Sequence, residues 1–183
     1  MANGAYSTKM ERLQSSSNPN LLLLSYDVAG ASVRDICVIP KHFFVPDIIE
    51  ERKPLTATAR RAGWVGSNIL LGRIPDSGRI HVVQNGTLVP KETVLERWRQ
   101  TLFLREQEVD ARGWLIEVMK CVESIGKSEF EIDDVYAFEK HLSAIYPSNY
   151  NVKPKIRQQL QVLRDNGYLD FVSRGRYRLR RAV

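Results

Sequence analysis

The sequence has 183 residues, 43% of them hydrophobic, with 27 Lys and Arg against 21 Asp and Glu and a formal net charge of +6. This composition suffices for a folded core and excludes a disordered tail, and the length allows one middle-sized domain or two small ones. The longest apolar run, residues 21–24, is far shorter than the roughly 20 residues of a membrane span, and no signal-peptide pattern is present. We therefore predict a cytoplasmic protein.

The first part of the chain is predicted to mix helices with strands. A helix is expected over residues 6–15, with a turn over 15–20, and a second helix over 94–103. The continuous apolar run over 21–26 predicts a buried strand. Further strands are expected over residues 34–39 and 80–84, the latter joined through Asn85-Gly86 to a partner strand at Leu88-Val89 in a hairpin.

A loop over residues 53–66 contains Arg60 and Arg61 close to Trp64, which has a glycine on either side at positions 63 and 66. Glycine permits close backbone approach and tryptophan can stack on or wedge between bases, so the segment is a candidate interaction surface. The alternative is that Trp64 anchors the loop to the core.

No catalytic or metal-binding pattern is found. The three histidines are scattered, and the two cysteines are far apart among apolar residues, which excludes a cysteine-based zinc cluster and fits a reducing compartment. Glu51-Arg52-Lys53 has the letters E-x-K of metal-dependent nucleases, but Pro54 follows at once and no apolar strand surrounds it. We therefore predict no catalytic residue and no metal ligand.

The last third of the chain predicts a winged helix. Apolar residues recur at helical spacing in three segments, residues 112–125, 133–145 and 153–166. Two short strand-like segments follow, residues 168–173 and 176–179, with a turn at Arg174-Gly175. Three helices followed by a β-hairpin are typical of the winged variant of the helix-turn-helix, in which the third helix enters the major groove of DNA.

The charge distribution agrees with this interpretation. Residues 151–183 contain nine basic and two acidic side chains, whereas residues 110–150 contain four basic and eight acidic ones. The positive charge therefore falls on the third helix and the wing, which favours a nucleic-acid partner over a membrane. The alternative is a solvated basic tail.

The third helix has two distinct faces. Ile156, Leu160 and Leu163 form an apolar stripe, so Gln158 and Gln161 project from the opposite side. Glutamine can pair with the edge of adenine, and Lys or Arg can reach phosphates or guanine. The alternative is that Gln158, Gln159 and Gln161 are ordinary helix formers on a wet face. The candidate DNA-contacting residues here are Lys153, Lys155, Arg157, Gln158, Gln161, Arg174 and Arg176.

Longer blocks of sequence resemble the DpnI-type, or Dam-replacing, restriction endonucleases. The resemblance covers essentially the whole chain and is carried by residues 4–8 (GAYST), 52–55 (RKPL), 58–64 (TARRAGW), 134–140 (DVYAFEK) and 155–161 (KIRQQLQ). It implies an α+β protein with a restriction-endonuclease-like PD-(D/E)xK domain, here over residues 1–108, joined to a winged helix-turn-helix domain over 109–183. Family members recognise N6-methyladenine in GATC and cut the duplex with Mg²⁺.

The chain departs from the family pattern at its start. In the family, the catalytic Asp and Glu-x-Lys and a four-cysteine zinc site precede the block that resembles residues 4–8. We therefore expect the nuclease-like domain to be incomplete, and this chain to bind neither Mg²⁺ nor Zn²⁺ and to cut no DNA. Three explanations stay open, namely a fragment of a longer product, a partner chain that supplies the missing half, or a degenerate remnant.

The resemblance also implies roles for individual residues. The tryptophan that corresponds to Trp64 wedges into the recognition site in the family, and Arg60 and Arg61 become expected backbone contacts. We therefore expect a monomer whose partner is double-stranded DNA with methylated GATC. The alternative function is a winged-helix protein of regulator type with no methyl preference.

Overall fold

The computed structural model describes residues 5–15 and 18–180 of the chain. The turn predicted over 15–20 therefore lies partly outside the described residues, as does Arg181 of the basic C-terminal segment. In chain order, the elements are α1 (Tyr6–Gln14), β1 (Leu21–Asp27), β2 (Ser32–Ile39), β3 (Ile49–Glu51), β4 (Ser67–Ile69), β5 (Ile80–Gln84), β6 (Thr87–Leu88), α2 (Lys91–Gln100), α3 (Val109–Ser124), β7 (Glu129–Glu131), α4 (Ile132–Tyr136), α5 (Glu139–Ile145), α6 (Val152–Asp165), β8 (Leu169–Ser173) and β9 (Arg176–Leu179).

An antiparallel sheet of four strands, in the order β1-β2-β5-β6, forms the first part of the molecule. The hairpin between β5 and β6 turns at Asn85 and Gly86, which both have positive φ, as this turn requires. A second hairpin pairs β3 with β4, with Glu51 opposite Ser67. The loop between β3 and β4 contains the segment with Trp64. The β3-β4 hairpin thus supplies the frame from which this loop projects.

The prediction that β1 is buried is wrong, although the strand itself is present. Leu22 and Leu24 are 61% and 62% exposed, whereas Leu21 and Leu23 pack against the core. Because successive side chains of a strand point to opposite faces, an edge strand that covers the core on one side leaves every second leucine outside. A continuous apolar run is therefore not sufficient evidence for burial on both faces.

Two helices differ from their predicted limits. The helix predicted over residues 94–103 is α2, which begins earlier, at Lys91. It ends before Thr101, and a 3₁₀ helix, Leu102–Glu106, follows it. The helix predicted over 133–145 is divided into α4 and α5, because the backbone of Phe138 leaves the helical region at φ −86° and ψ 6°. The apolar stripe through Val135 and Leu142 continues across this break, and both side chains are fully buried.

The last third of the chain forms a winged helix-turn-helix, as predicted. α6 packs against α3, α4, α5 and β8. The wing consists of β8 and β9, and β9 also pairs with β7, which gives the three-stranded order β7-β9-β8. Strand β7 was not predicted, because a three-residue Glu-Phe-Glu segment carries almost no periodicity of its own and acquires its conformation from pairing with β9.

The hydrophobic core is continuous between the first part of the molecule and the winged helix. One cluster of buried side chains includes Ile39 and Phe43 from the first part, Leu115 and Met119 from α3, and Leu160 from α6. The domain boundary predicted between residues 108 and 109 stays a prediction, and the packing shows that α3 contributes to a core shared by both parts.

Hydrogen bonds reinforce this contact. The hydroxyl of Tyr168 donates to Glu123 at 2.6 Å and accepts from the hydroxyl of Ser77 at 3.2 Å, and the other oxygen of Glu123 accepts from the backbone N–H of Asp76 at 2.5 Å. Burial and the neighbouring carboxylate of Glu123 raise the pKa of Tyr168, which keeps this hydroxyl protonated as a donor. The winged helix is therefore held to the first part by directional bonds as well as by packing.

Candidate nucleic-acid interface

Helix α6 separates its apolar and polar side chains sharply. Val152, Ile156, Leu160 and Leu163 are buried, and burial of such a side chain contributes roughly 1.5–3 kcal/mol to folding. The opposite face is exposed to solvent and carries Lys153, Arg157, Gln158 and Gln161. The 3.6-residue period of the helix therefore keeps the candidate DNA-contacting side chains out of the core.

Tyr136 of α4 brings two of the predicted cations together. The ammonium of Lys153 lies 5.5 Å from the centre of the Tyr136 ring, and the guanidinium of Arg157 lies 5.7 Å from it. Arg157 Nε also donates a hydrogen bond to the Tyr136 hydroxyl. Lys153 forms an ion pair with Glu139 at 3.4 Å. Contact with an aromatic face orients a cation without neutralising it, so the charge of Arg157 stays available at the exposed surface, whereas Glu139 partly neutralises that of Lys153.

Lys155 and Gln158 are coupled one helical turn apart. Lys155 Nζ donates a hydrogen bond to Gln158 Oε1 at 2.9 Å, which leaves the Gln158 amide N–H₂ group pointing outward as a donor. Gln161 is exposed one turn further on. The alternative that all three glutamines lie on a solvent-exposed face is wrong for Gln159, which is only 4% exposed and lies on the buried side of α6.

The two predicted arginines of the wing lie at its turn, and one of them is paired with a carboxylate. Arg174 and Arg176 stand on either side of Gly175, whose φ of +77° allows the tight turn. Arg176 forms an ion pair with Glu129 of β7 at 3.5 Å, and Arg178 binds the same carboxylate at 2.6 Å. The hydrogen bonds from Arg178 hold the pKa of Glu129 below its usual range, so this carboxylate stays charged and partly neutralises the wing.

The loop over residues 52–66 has a defined backbone structure. The N–H of Leu55 donates to the carbonyl of Trp64 at 3.0 Å, and the N–H of Gly63 donates back to the carbonyl of Leu55 at 3.0 Å. Gly63 has a φ of +77°, a conformation that side chains disfavour. These two backbone hydrogen bonds close the loop, and Arg60 and Arg61 are exposed within it.

Trp64 is half-buried and lies against the backbone of Gly66. A Cβ at Gly66 would come within 2.8 Å of the indole ring, so a larger residue there would displace the Trp64 side chain. Trp64 does not belong to the buried core cluster, which argues against the alternative that it anchors the loop to the core. No hydrogen bond or ion pair in the described ranges joins this loop to the exposed face of α6.

Two family models match this sequence over nearly its entire length. Residues 1–107 match the model described as the Dam-replacing family, and residues 110–179 match the Dam-replacing HTH domain. The chain belongs to the Dam-replacing family. Its helix-turn-helix domain contains α6 and the wing, so this Dam-replacing protein is a DNA-binding protein. The exposed cations of α6 lie in this domain.

Other properties of this Dam-replacing protein concern metals and membranes. Within residues 5–15 and 18–180, no group of three or more His, Cys, Asp or Glu side chains lies close enough to hold a metal ion. Among the helices of the same ranges, none is both long and apolar enough to cross a bilayer. Glu51, considered for its E-x-K letters, ends the short strand β3 and is exposed.

Tyr136 is a residue of this surface that was not predicted from the sequence. It belongs to the block 134–140 that carried the family resemblance, but aromatic residues in helices usually belong to the core. Only the packing of α4 against α6 places its ring beneath two cations. The sequence contained one indication of this role. Tyr136 directly follows Val135, so it does not lie on the buried apolar stripe of α4.

Proposed function

We propose that this protein binds duplex DNA at GATC sequences that carry N6-methyladenine, with α6 in the major groove. The observation that carries the proposal is the outer face of α6, on which Gln158, Gln161 and Arg157 are exposed and the half-buried Lys155 binds Gln158. Glutamine offers the donor and acceptor pair that matches the N6 and N7 edge of adenine, and the cations match flanking phosphates. The preference for methylated adenine rests on the resemblance to DpnI-type enzymes.

Recognition of a methylated adenine requires an apolar contact next to the hydrogen-bonding side chain. Methylation removes one N6 donor and adds a hydrophobic group, so a polar surface alone would favour the unmethylated base. Tyr150 lies two residues before the first residue of α6 and is 92% exposed. A large exposed aromatic side chain at the start of a recognition helix is well placed for such a contact. We propose Tyr150 as this apolar partner.

On the loop over residues 52–66, we propose that Arg60 and Arg61 bind the DNA backbone and that Trp64 wedges between base steps. The exposure of the arginines and the separation of Trp64 from the core support these roles. An aromatic wedge costs a few kcal/mol of base unstacking, which the additional backbone contacts offset.

Binding to three duplexes of equal length tests the proposal. One carries methylated GATC, the second unmethylated GATC, and the third methylated adenine in a shuffled sequence. Fluorescence anisotropy at physiological salt should rank the first duplex tightest. Equal affinity for all three would leave only a basic surface, as expected for a regulator-type winged helix without methyl preference.

Single-residue variants then test the proposed methyl contact separately from the contacts of α6. Tyr150→Ala should lower the ratio of affinities for the methylated and unmethylated duplexes, with little effect on binding to the shuffled one. The matched control is Tyr26→Ala, which removes an exposed tyrosine from the edge strand β1. An unchanged ratio in the Tyr150 variant would contradict the proposed methyl contact without affecting the proposal for α6.

A further inference from the structure

A cavity of about 350 Å³ opens in the first part of the molecule, outside the DNA-binding surface described above. It lies between the end of α1, the 3₁₀ helix Lys41–Phe43, the 3₁₀ helix Leu102–Glu106 and the first turn of α3. Its walls bring together the cations of Lys41, Arg105 and Arg112, with the side chain of Asn18 at the rim. No carboxylate of the described residues lines it.

Arg112 contributes an unsatisfied hydrogen-bond donor to this cavity. Its Nε is buried and has no hydrogen-bond partner in the part of the chain that the structure describes. Burial lowers the pKa of Arg112, an effect that the nearby carboxylate of Glu108 only partly offsets. An arginine that loses its water needs a charged or hydrogen-bonding partner, and an incoming anion would supply one.

His42 supplies a second unpaired group at the same cavity. The side chain is only 2% exposed, and its Nε2 lies 3.0 Å from Thr101 Oγ1. Because the Thr101 hydroxyl donates to the carbonyl of Trp98 at 3.2 Å, it accepts a hydrogen bond from Nε2–H. The other nitrogen, Nδ1, therefore carries the lone pair of a neutral imidazole, and it has no partner among the described residues.

We infer that this cavity is a binding site for a phosphate-type oxyanion, held by Arg112, Arg105 and Lys41 and completed by His42. The three cations come from three separate elements and so surround the cavity, an arrangement that suits a tetrahedral anion with oxygens on several sides. The planar guanidinium of arginine binds such oxygens in a bidentate manner, and its weak hydration favours a partly buried position.

Binding should be coupled to protonation of His42. In the empty cavity, burial together with Arg105, Arg112 and Lys41 lowers the pKa of His42 to about 4. Glu108 is the acidic group that faces Arg112. An oxyanion in the cavity would cancel the repulsion from these cations and accept a hydrogen bond from a protonated Nδ1. The pKa of His42 should therefore rise on binding, with uptake of one proton.

Titration of the full chain with inorganic phosphate tests the inference. We expect saturable binding by calorimetry, a rise in the melting temperature, and a change of the His42 imidazole ¹⁵N signals from the neutral Nε2–H form toward the doubly protonated form. Arg112→Gln should weaken phosphate binding about ten- to a hundredfold, the usual loss when a hydrogen bond to a charged group is removed.

Two further variants make the result interpretable. Arg105→Gln changes an exposed side chain and should also weaken binding, which covers the case in which Arg112→Gln fails to fold. Arg97→Gln is the matched control, because Arg97 lies on α2 and lines a different cavity. Absence of saturable binding, or equal binding by the wild-type chain and both cavity variants, would overturn the inference.

A competition experiment distinguishes the two sources of such an anion. If the site holds a DNA phosphodiester, saturating phosphate and Arg105→Gln should each weaken binding to a duplex. If it holds a free phosphate or a nucleotide phosphate, duplex binding should be unchanged while phosphate binding is lost in the variant. Both results support an oxyanion site, and the inference does not depend on the preference for methylated GATC.

Discussion

At the scale of single residues, Tyr136 shows how the candidate interface is organised. Its ring lies next to Lys153 and Arg157, and its hydroxyl accepts a hydrogen bond from Arg157. Tyr136 thereby orients both cations without neutralising them, and only Lys153 of the two also has a carboxylate partner, Glu139. In the wing, the carboxylate of Glu129 pairs with both Arg176 and Arg178. We therefore expect more of the electrostatic attraction for DNA from α6 than from the wing.

The two exposed glutamines of α6 provide a test of sequence recognition. Replacing Gln158 or Gln161 with alanine should reduce discrimination between GATC and altered sites by about 1–3 kcal/mol if the side chain binds a base edge. Alanine preserves the helix, so folding should be unaffected. The measurement is a competition of GATC and single-base variants for each protein. A uniform loss of affinity across all sequences would show that the residue does not distinguish bases.

Glu117 provides a test of pH dependence. It is 3% exposed, and burial raises its pKa despite the nearby positive charges of Lys120, Arg73 and His141. The unfolded chain therefore loses this proton at lower pH than the folded chain, so Glu117 lowers stability as the pH rises above its ordinary value of 4.5.

The variant Glu117→Gln removes this ionisation. It should be more stable than the wild-type chain at pH 7, and the difference should narrow as the pH approaches 4.5. Urea unfolding of both proteins across this range measures the effect. A difference that stays constant with pH, or a less stable variant at pH 7, would contradict the burial of an ionisable Glu117.

At the scale of elements, the helices with a strong apolar period and most of the strands were predictable, whereas the three-residue strands β3, β4 and β7 were not. The limits of α6 were predicted to within a residue or two because Ile156, Leu160 and Leu163 repeat at helical spacing and Gly167 follows. Strand β7 escaped prediction, and β1 was expected to be buried, because both depend on which neighbour lies alongside. The cations of the site were visible as charge, whereas their partners Tyr136, Glu139 and Glu129 come from other elements.

The contribution of α6 to DNA binding can be measured through its salt dependence. For each phosphate contact removed, the slope of log K against log salt concentration should fall in magnitude by about 0.9. Lys155→Gln and Arg157→Gln should each produce such a decrease, because both side chains lie on the outer part of α6. The control Lys91→Gln changes an exposed lysine at the start of α2 and should leave the slope unchanged. Identical slopes in all four proteins would place the phosphate contacts elsewhere.

At the scale of the whole molecule, the continuous core predicts a single cooperative unfolding transition. Leu115 lies at the centre of α3, is fully buried and belongs to the cluster shared by both parts. Leu115→Ala should therefore destabilise the entire chain by about 2–5 kcal/mol, whereas Leu88→Ala, at a 76% exposed position, should change stability by less than about 0.5 kcal/mol. Urea unfolding followed by tryptophan fluorescence and far-UV circular dichroism should give coincident curves, and two separated transitions would contradict a shared core.

The most direct test of the account is which surface of the molecule contacts DNA. The lysines serve as reporters, because acetylation of each amino group can be followed by mass spectrometry with and without a methylated GATC duplex. Lys155 on α6 and Lys53 at the start of the loop over 52–66 should be protected, while Lys91 on α2 and Lys140 on α5 should react equally in both samples. Protection of Lys91 or Lys140 together with unchanged reactivity of Lys155 would contradict the assignment of α6 as the helix that binds DNA.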